Sequence, residues 1–169
     1  FVISSIKPGT GKSFVTVNMA MGLAKYAIKK DGKKPKVAII EGDLQNLSVG
    51  TLLRLQNKEK NLKTVMEKID TVLDENGNLV ADSIALQEVE RFIESSFLKT
   101  ELADNLYALV GSEMSFSEAN AITADQYTFL LEVILPKFDI VIFDTNSAIN
   151  HSSTLPAMAR AKYIYYILN

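Results

Sequence analysis

The sequence has 169 residues and a formal net charge of −2, so it is long enough for one domain with a sizeable core and gives no global sign of nucleic-acid binding. It contains no cysteine, which excludes disulfides, thiolate zinc sites and cysteine-ligated iron–sulfur clusters from these residues. No apolar run is long enough to span a membrane and the first residues lack the features of a secretory signal, so we expect a cytoplasmic protein whose residues 1–169 form a single domain.

The chain begins with a pattern that predicts a strand, a tight turn and a helix. Phe1–Ile3 is an aromatic and β-branched run, and residues 14–24 carry small and apolar residues at helical spacing, namely Val17, Ala20, Met21 and Ala24. The turn between them, residues 7–13, contains two glycines and two lysines. Such a turn aims backbone N–H groups at one point at the start of the helix, where they lack intrahelical acceptors.

This turn has the composition of a phosphate-binding loop. The helix dipole adds positive potential to its free N–H groups, so an anion is the natural ligand. Gly9 and Gly11 allow the backbone to approach a ligand closely, Lys12 is suited to the outer phosphates, and the hydroxyl of Ser13 is suited to Mg²⁺. We predict that the cofactor-binding residues are Lys7, Pro8, Gly9, Thr10, Gly11, Lys12, Ser13 and Phe14.

The middle of the chain continues the alternation of strands and helices. Five lysines within residues 29–36 are typical of a solvated helix end and turn, with contact to a polyanion as the alternative. The apolar run Val37–Ile40 predicts a buried strand, and residues 47–67 predict one or two polar helices. Residues 71–85, which contain an Asn-Gly pair, predict a hairpin or an extended insertion before a helix that ends near Leu98.

The second half follows the same pattern. It predicts a strand at Asn105–Val110, a helix at Ala124–Leu135 that ends before a proline, and a strand within Phe138–Ala148. A helix over residues 152–161 and a strand at Tyr163–Leu168 complete the alternation. We therefore predict an α/β fold in which a doubly wound, mostly parallel sheet of the P-loop NTPase type carries helices on both faces.

Three strand ends would supply chemistry to one edge of this sheet, because ligands of such sheets lie beyond the carboxyl ends of the strands. The first strand leads into the phosphate loop, the second into Asp43, and a later one into Asp144. Mg²⁺ prefers oxygen ligands, so we predict that Ser13 and Asp144 hold the metal directly or through water. Asp43 is then left to orient the attacking water. We interpret the sole histidine, His151, as a solvated or capping residue.

Four segments resemble motifs of the ParA/MinD family of P-loop ATPases, in the same order and over most of the chain. They correspond to the deviant Walker A, the following helix, the Walker A′ and the Walker B segments, and they read KPGTGKS, VNMAMGLA, VAIIEGDLQ and FDIVIFDT. The resemblance implies an ATPase with slow hydrolysis, ATP and Mg²⁺ as cofactors, and a homodimer formed across ATP. It also implies that Lys7 reaches the phosphates of the partner's nucleotide, that Asp43 helps to position the water, and that Asp144 acts in the Mg²⁺ shell. The predicted catalytic residues are Lys7, Lys12 and Asp43.

The same resemblance implies a switch that drives the partition or positioning of DNA or a cellular assembly. The sequence does not identify the cargo, which in that family is DNA, membrane or protein. The chain begins inside one predicted strand and stops just after another, so we expect it to be part of a longer protein.

Several positions depart from the family pattern. Pro8 replaces the usual first glycine of the loop and removes one backbone donor, and Phe14 stands where a second hydroxyl residue is common. Glu41 and Leu44 occupy Walker A′ positions where aspartate and often proline occur, and DTNSA replaces the common DTPP. These changes bear on the hydrolysis rate more than on nucleotide binding.

The sequence leaves two alternatives open. One is a weakly hydrolysing ParA-like localisation scaffold of a pilus or secretion system, with which the altered Walker A′ and DTNSA segments are compatible. The other is a bacterial tyrosine kinase, because SSIKPGTGKS also resembles the P-loop of those enzymes. Lys7 favours the ParA/MinD type, and Gln45 stands where the kinases tend to have arginine.

Overall fold

A computed structural model of the protein describes residues 1–148 and 151–168, and within them the chain is built around a six-stranded sheet. Its strands are β1 (Val2–Ser5), β2 (Val37–Glu41), β3 (Leu98–Lys99), β4 (Leu106–Leu109), β5 (Ile140–Asp144) and β6 (Ile164–Ile167). The order across the sheet is β3-β4-β2-β5-β1-β6. The neighbouring strands are parallel except for β3 and β4, which are antiparallel.

Seven α-helices connect these strands within the same residues. They are α1 (Lys12–Tyr26), α2 (Ser48–Leu53), α3 (Leu62–Asp70), α4 (Ser83–Ser96), α5 (Phe116–Ala121), α6 (Ala124–Ile134) and α7 (Thr154–Arg160). A short 3-10 helix at Leu135–Lys137 follows α6, where Pro136 prevents the α-helix from continuing. In this described part of the chain, every helix is too short or too polar to cross a lipid bilayer.

The helices cover both faces of the sheet. Successive strand residues point to opposite sides, so each strand contributes to two apolar cores. On one side, Ala38 and Ile40 of β2 belong to a core that includes residues of α3 to α7. On the other side, Val37 and Ile39 pack with α1 and α2. All four residues are fully buried, so the first four residues of β2 form a continuous apolar run. The predicted fold class, an α/β fold with a doubly wound and mostly parallel sheet, is confirmed.

The sheet topology brings three strand ends to one edge. β5 lies between β1 and β2, and its last residue, Asp144, is in register with Ile3 on one side and with Glu41 on the other. The chain passes from β1 into α1, and from β2 into the loop that contains Asp43. The carboxyl ends of these strands therefore form the edge at which the predicted site residues meet.

Two short elements, α5 and β3, have no counterpart in the sequence prediction. The six residues of α5 follow a capping box formed by Ser115 and Glu118, which satisfies free N–H groups where periodicity is too brief to detect. The two residues of β3 pair with Tyr107 and Ala108 of β4, and only this tertiary contact makes them a strand.

Two other segments differ in extent from the prediction. Residues 71–85 contain a single antiparallel bridge between Leu73 and Leu79 around a turn, so the hairpin predicted there is reduced to its minimum. The strand predicted within residues 138–148 ends at Asp144, and residues 145–148 form a loop. This loop lies next to the predicted site residues Lys12 and Asp43.

Candidate nucleotide-binding site

The loop between β1 and α1 has the backbone of an anion-binding turn. Gly9 and Gly11 have φ values of 74° and 87°, in the left-handed region that favours glycine. Gly11 is the N-cap residue of α1 and supplies no side-chain cap, so the first N–H groups of this 15-residue helix are not occupied by a capping side chain. No atom lies within 4 Å of a Cβ position at either glycine, which leaves open space at the mouth of the loop.

The two lysines of the loop have different environments. Lys12 is 5% exposed; its Nζ donates a hydrogen bond to Ser147 Oγ at 2.8 Å and lies 3.8 Å from Asp43 Oδ2. Lys7 is exposed, as are its neighbours Pro8 and Gly9. The structure therefore brings Lys12 and Asp43 together and leaves Lys7 at the surface.

The predicted metal ligands meet in the buried part of the site. Ser13 Oγ donates a hydrogen bond to Asp144 Oδ2 at 2.6 Å, and Thr16 Oγ1 donates one to Asp144 Oδ1 at 3.2 Å. Asp144 is fully buried, and this burial raises its pKa to about 6, which the hydrogen bond from Ser13 and the charge of Lys12 offset only in part. A carboxylate and a hydroxyl in contact provide the hard oxygen donors that Mg²⁺ prefers.

Asp43 reaches this site because Gly42 lets two backbones approach closely. Gly42 N–H donates to the carbonyl of Asp144 at 2.8 Å, and a Cβ at Gly42 would lie 2.2 Å from the ring of Phe143. Asp43 is 3% exposed and accepts hydrogen bonds from Asn146 Nδ2 at 3.3 Å and from Asn46 Nδ2 at 3.4 Å. Its carboxylate is thus held by two side-chain amides and lies close to the ammonium of Lys12.

Glu41, a departure from the family pattern, has a structural role. Its buried carboxylate accepts hydrogen bonds from the N–H groups of Val49 at 2.6 Å and Gly111 at 2.8 Å, with longer contacts to Gly50. It therefore caps the start of α2 and ties it to the loop after β4. Burial raises the pKa of Glu41, and the backbone donors counteract that effect.

Sequence reasoning did not identify Thr16, Asn146 or Ser147 as site residues. Thr16 lies one helical turn after Ser13, so the i, i+3 spacing of two hydroxyls on the helix that follows the loop was an available signal. The contacts of Asn146 and Ser147 depend on how the loop after β5 folds back, which no periodicity encodes. His151 is partly buried, and its Nδ1 is 2.9 Å from Oγ of Ser153, the N-cap residue of α7.

The residues fit a bound Mg²⁺–nucleotide. Oγ1 of Thr10 is buried and, within the part of the chain that the structure describes, has no hydrogen-bond partner, which leaves a polar atom of the loop unsatisfied. A cavity of about 550 Å³ is lined by the loop, by Asp43 and by α2, including Phe14, which is 62% exposed. A phosphate group would find backbone N–H groups, an ammonium and a hydroxyl at the inner end of this cavity.

The fold and the site together define a P-loop nucleotide-binding domain. The family model described as AAA domain matches residues 1–167. The chain belongs to this family, and this match together with the MinD and ParA relatives assigns it to the ParA/MinD family of P-loop ATPases.

Named relatives agree with this assignment. The septum site-determining protein MinD of Thermotoga maritima is 27% identical over 148 residues, which are 88% of this chain and 44% of that protein. Among solved structures, a ParA family ATPase from Chlorobium tepidum superposes with a TM-score of 0.67 at 15% identity, over 98% of this chain and 59% of the other.

MinD from Pyrococcus horikoshii, solved as a complex with Mg-ADP, also gives a TM-score of 0.67, at 19% identity, over 98% of this chain and 56% of the other. The present chain thus spans about half the length of these relatives, between 44% and 59%.

Proposed function

We propose that this chain is the nucleotide-binding domain of an ATPase switch that binds Mg·ATP, dimerises around it and hydrolyses it slowly. The observation that carries the proposal is the contact of Ser13 with Asp144 at 2.6 Å, at the start of α1 and beside the buried pair Lys12 and Asp43. This is a set of cation ligands, a phosphate-binding ammonium and a carboxylate for water within one pocket.

Each residue has a defined task in this proposal. The backbone of residues 9–13 and the ammonium of Lys12 hold the phosphates, while Ser13 and Asp144 hold the cation. Bound Mg²⁺ would supply positive charge to the phosphate oxygens during transfer. Asp43, already fixed by amide donors, accepts a hydrogen bond from the attacking water and orients it.

Lys7 supports the dimeric form of the switch. It is exposed beside the phosphate loop, where its charge is free to approach a nucleotide held by a second copy. A cation supplied by a second subunit makes hydrolysis depend on assembly. The Thermotoga maritima relative is named for septum site determination, and a structural neighbour from Borrelia burgdorferi is named a plasmid partition protein. The corresponding role proposed here is positioning of DNA or of a cellular assembly by an ATP-dependent dimer.

The test is light scattering with parallel phosphate release on the full-length protein, without nucleotide, with ADP and with ATP. We expect a dimer only with ATP. Lys7→Ala should bind ATP and stay monomeric, whereas Lys12→Ala should lose binding itself. Asp43→Ala should retain the dimer and lose phosphate release. Lys30→Ala, which removes an exposed lysine after α1, is the matched control and should behave as the wild type.

The alternatives give different results in the same experiment. ATP binding without dimerisation or phosphate release would replace the switch with the localisation scaffold. Mass spectrometry of the ATP-treated samples tests the other alternative, because transfer of the γ-phosphate to a tyrosine of the protein would identify a tyrosine kinase. Equal ATP-dependent dimerisation of the wild type and Lys7→Ala would rule out the role of Lys7 across the interface.

A further inference from the structure

The loop after β5 carries two polar residues, Asn146 and Ser147, where the family pattern commonly has two prolines. A proline side chain has no hydrogen-bonding atom. The side chains of Asn146 and Ser147 therefore make contacts in the site that two prolines at these positions could not make.

Both side chains contact the groups proposed to bind and cleave nucleotide. Ser147 Oγ accepts the hydrogen bond from Lys12 Nζ at 2.8 Å, and Asn146 Nδ2 donates to Asp43 Oδ1 at 3.3 Å. Asn146 Oδ1 in turn accepts a hydrogen bond from the backbone N–H of Ala148 at 2.8 Å, which fixes the turn of the loop. The loop is thus tied to Lys12 by one residue and to Asp43 by the next.

The side chains that make these contacts are largely shielded from solvent. Asn146 is 6% exposed, Lys12 is 5% exposed and Asp43 is 3% exposed. A buried ammonium requires acceptors, and a serine hydroxyl is a neutral one. A phosphate oxygen is a charged acceptor and forms the stronger hydrogen bond with Lys12. Phosphate and Ser147 are therefore alternative acceptors for the buried Lys12 ammonium.

We propose that Ser147 holds the place of a nucleotide phosphate on Lys12, and that nucleotide binding releases the loop of Asn146 and Ser147 from the lysine. The inference rests on the proposed nucleotide-binding function and adds to it two residues that set nucleotide affinity and make this loop respond to nucleotide. Asn146 donates a hydrogen bond to Asp43, so movement of the loop also changes the surroundings of the carboxylate that orients water.

The first experiment measures nucleotide affinity by calorimetry on the full-length protein, with ADP and with a non-hydrolysable ATP analogue. Ser147→Ala removes the competing acceptor, so its affinity for nucleotide should rise by roughly tenfold, which corresponds to one hydrogen bond to a charged group. Ser147→Thr keeps the hydroxyl and should restore the wild-type affinity. Ser95→Ala, an exposed serine that bonds within α4, is the matched control.

The second experiment reports on the loop itself. The sequence contains no tryptophan, so Ala148→Trp places a single fluorophore at an exposed position of the loop. Its emission should change when ADP is added to the otherwise wild-type protein. In the Ser147→Ala background, the emission without nucleotide should already be near the nucleotide-bound value.

The outcomes separate this inference from the proposed function. If the wild-type protein binds neither nucleotide, the proposed function fails. If the wild type binds nucleotide but Ser147→Ala binds it equally or more weakly, or the fluorophore does not respond, only the inference about Ser147 is overturned. Circular dichroism of Ser147→Ala with and without nucleotide confirms that its measured affinity belongs to a folded protein.

Discussion

Asp144 divides its two carboxylate oxygens between two hydroxyls of the same helix. Ser13 contacts Oδ2 and Thr16 contacts Oδ1, so the second hydroxyl fixes the direction in which the first oxygen points. Asp144 is fully buried, and a buried carboxylate oxygen without a donor costs about 1–3 kcal/mol. Thr16 is therefore a positioning residue for the proposed cation site, although it is not one of the proposed ligands.

The positioning role of Thr16 can be measured as a change in the Mg²⁺ requirement for nucleotide binding. Thr16→Val keeps the shape of the side chain and removes the donor, so the Mg²⁺ concentration needed for half-maximal nucleotide binding should rise by roughly tenfold. Thr16→Ser keeps the donor and should stay near the wild type. A Mg²⁺ titration followed by a fluorescent nucleotide measures both variants. An unchanged Mg²⁺ requirement in Thr16→Val would show that Asp144 is oriented without it.

At the scale of secondary-structure elements, the close packing of the β2 end against β5 places Asp43. This packing depends on Gly42, where a Cβ would lie 2.2 Å from the Phe143 ring and 2.9 Å from the Asp144 carbonyl. Gly42→Ala should lower the free energy of unfolding by about 1–3 kcal/mol, because the ring and the backbone must both move. It should also weaken hydrolysis more than nucleotide binding, since Asp43 moves with its neighbour.

Gly22 provides the matched comparison for Gly42. It lies within α1, and apart from the adjacent backbone of the helix itself no atom is within 4 Å of the position that its Cβ would take. Gly22→Ala should raise the free energy of unfolding by about 0.5–1 kcal/mol, because alanine favours the helical backbone. Chemical denaturation of both variants measures the contrast. If Gly42→Ala were as stable as Gly22→Ala, the packing of the β2 end would not be what places Asp43.

The elements themselves differ in how far the sequence determines them. β2 and α1 were predictable because a buried parallel strand is an apolar run and because α1 has small and apolar residues at helical spacing, and both are recovered in the fold. β3 was not predictable, because two residues become a strand only through pairing with β4. The proximity of Ser13, Asp43 and Asp144 followed from the topology of a parallel sheet.

The side-chain network of the site was beyond the sequence for a different reason. Contacts such as Lys12 with Ser147 join residues 135 positions apart, and they depend on the path of a loop rather than on a periodic pattern. The buried cap that Glu41 provides for α2 is similar, because its donors come from α2 and from the loop after β4, which are distant in the sequence.

At the scale of the whole molecule, the buried carboxylate of Asp144 lowers the free energy of unfolding of the nucleotide-free protein at neutral pH. Burial raises the pKa of Asp144 from its ordinary value of 3.8 to about 6. Between these two pH values, Asp144 is therefore mostly protonated in the folded protein and mostly ionised in the unfolded chain. A raised carboxyl pKa contributes stability at low pH that is lost as the pH rises through 6. Partial burial lowers the pKa of His151, which has the opposite effect as the pH falls.

Comparison with Asp144→Asn isolates the carboxyl group from these other contributions. Without Mg²⁺ or nucleotide, the wild type should gain about 1 kcal/mol of unfolding free energy relative to this variant between pH 7 and pH 5. Urea denaturation at several pH values measures the difference, in which the effect of His151 cancels. Parallel pH profiles for the two proteins would contradict a raised pKa. With Mg·ATP the trend should reverse, because protonation of Asp144 then competes with the cation and weakens binding below pH 6.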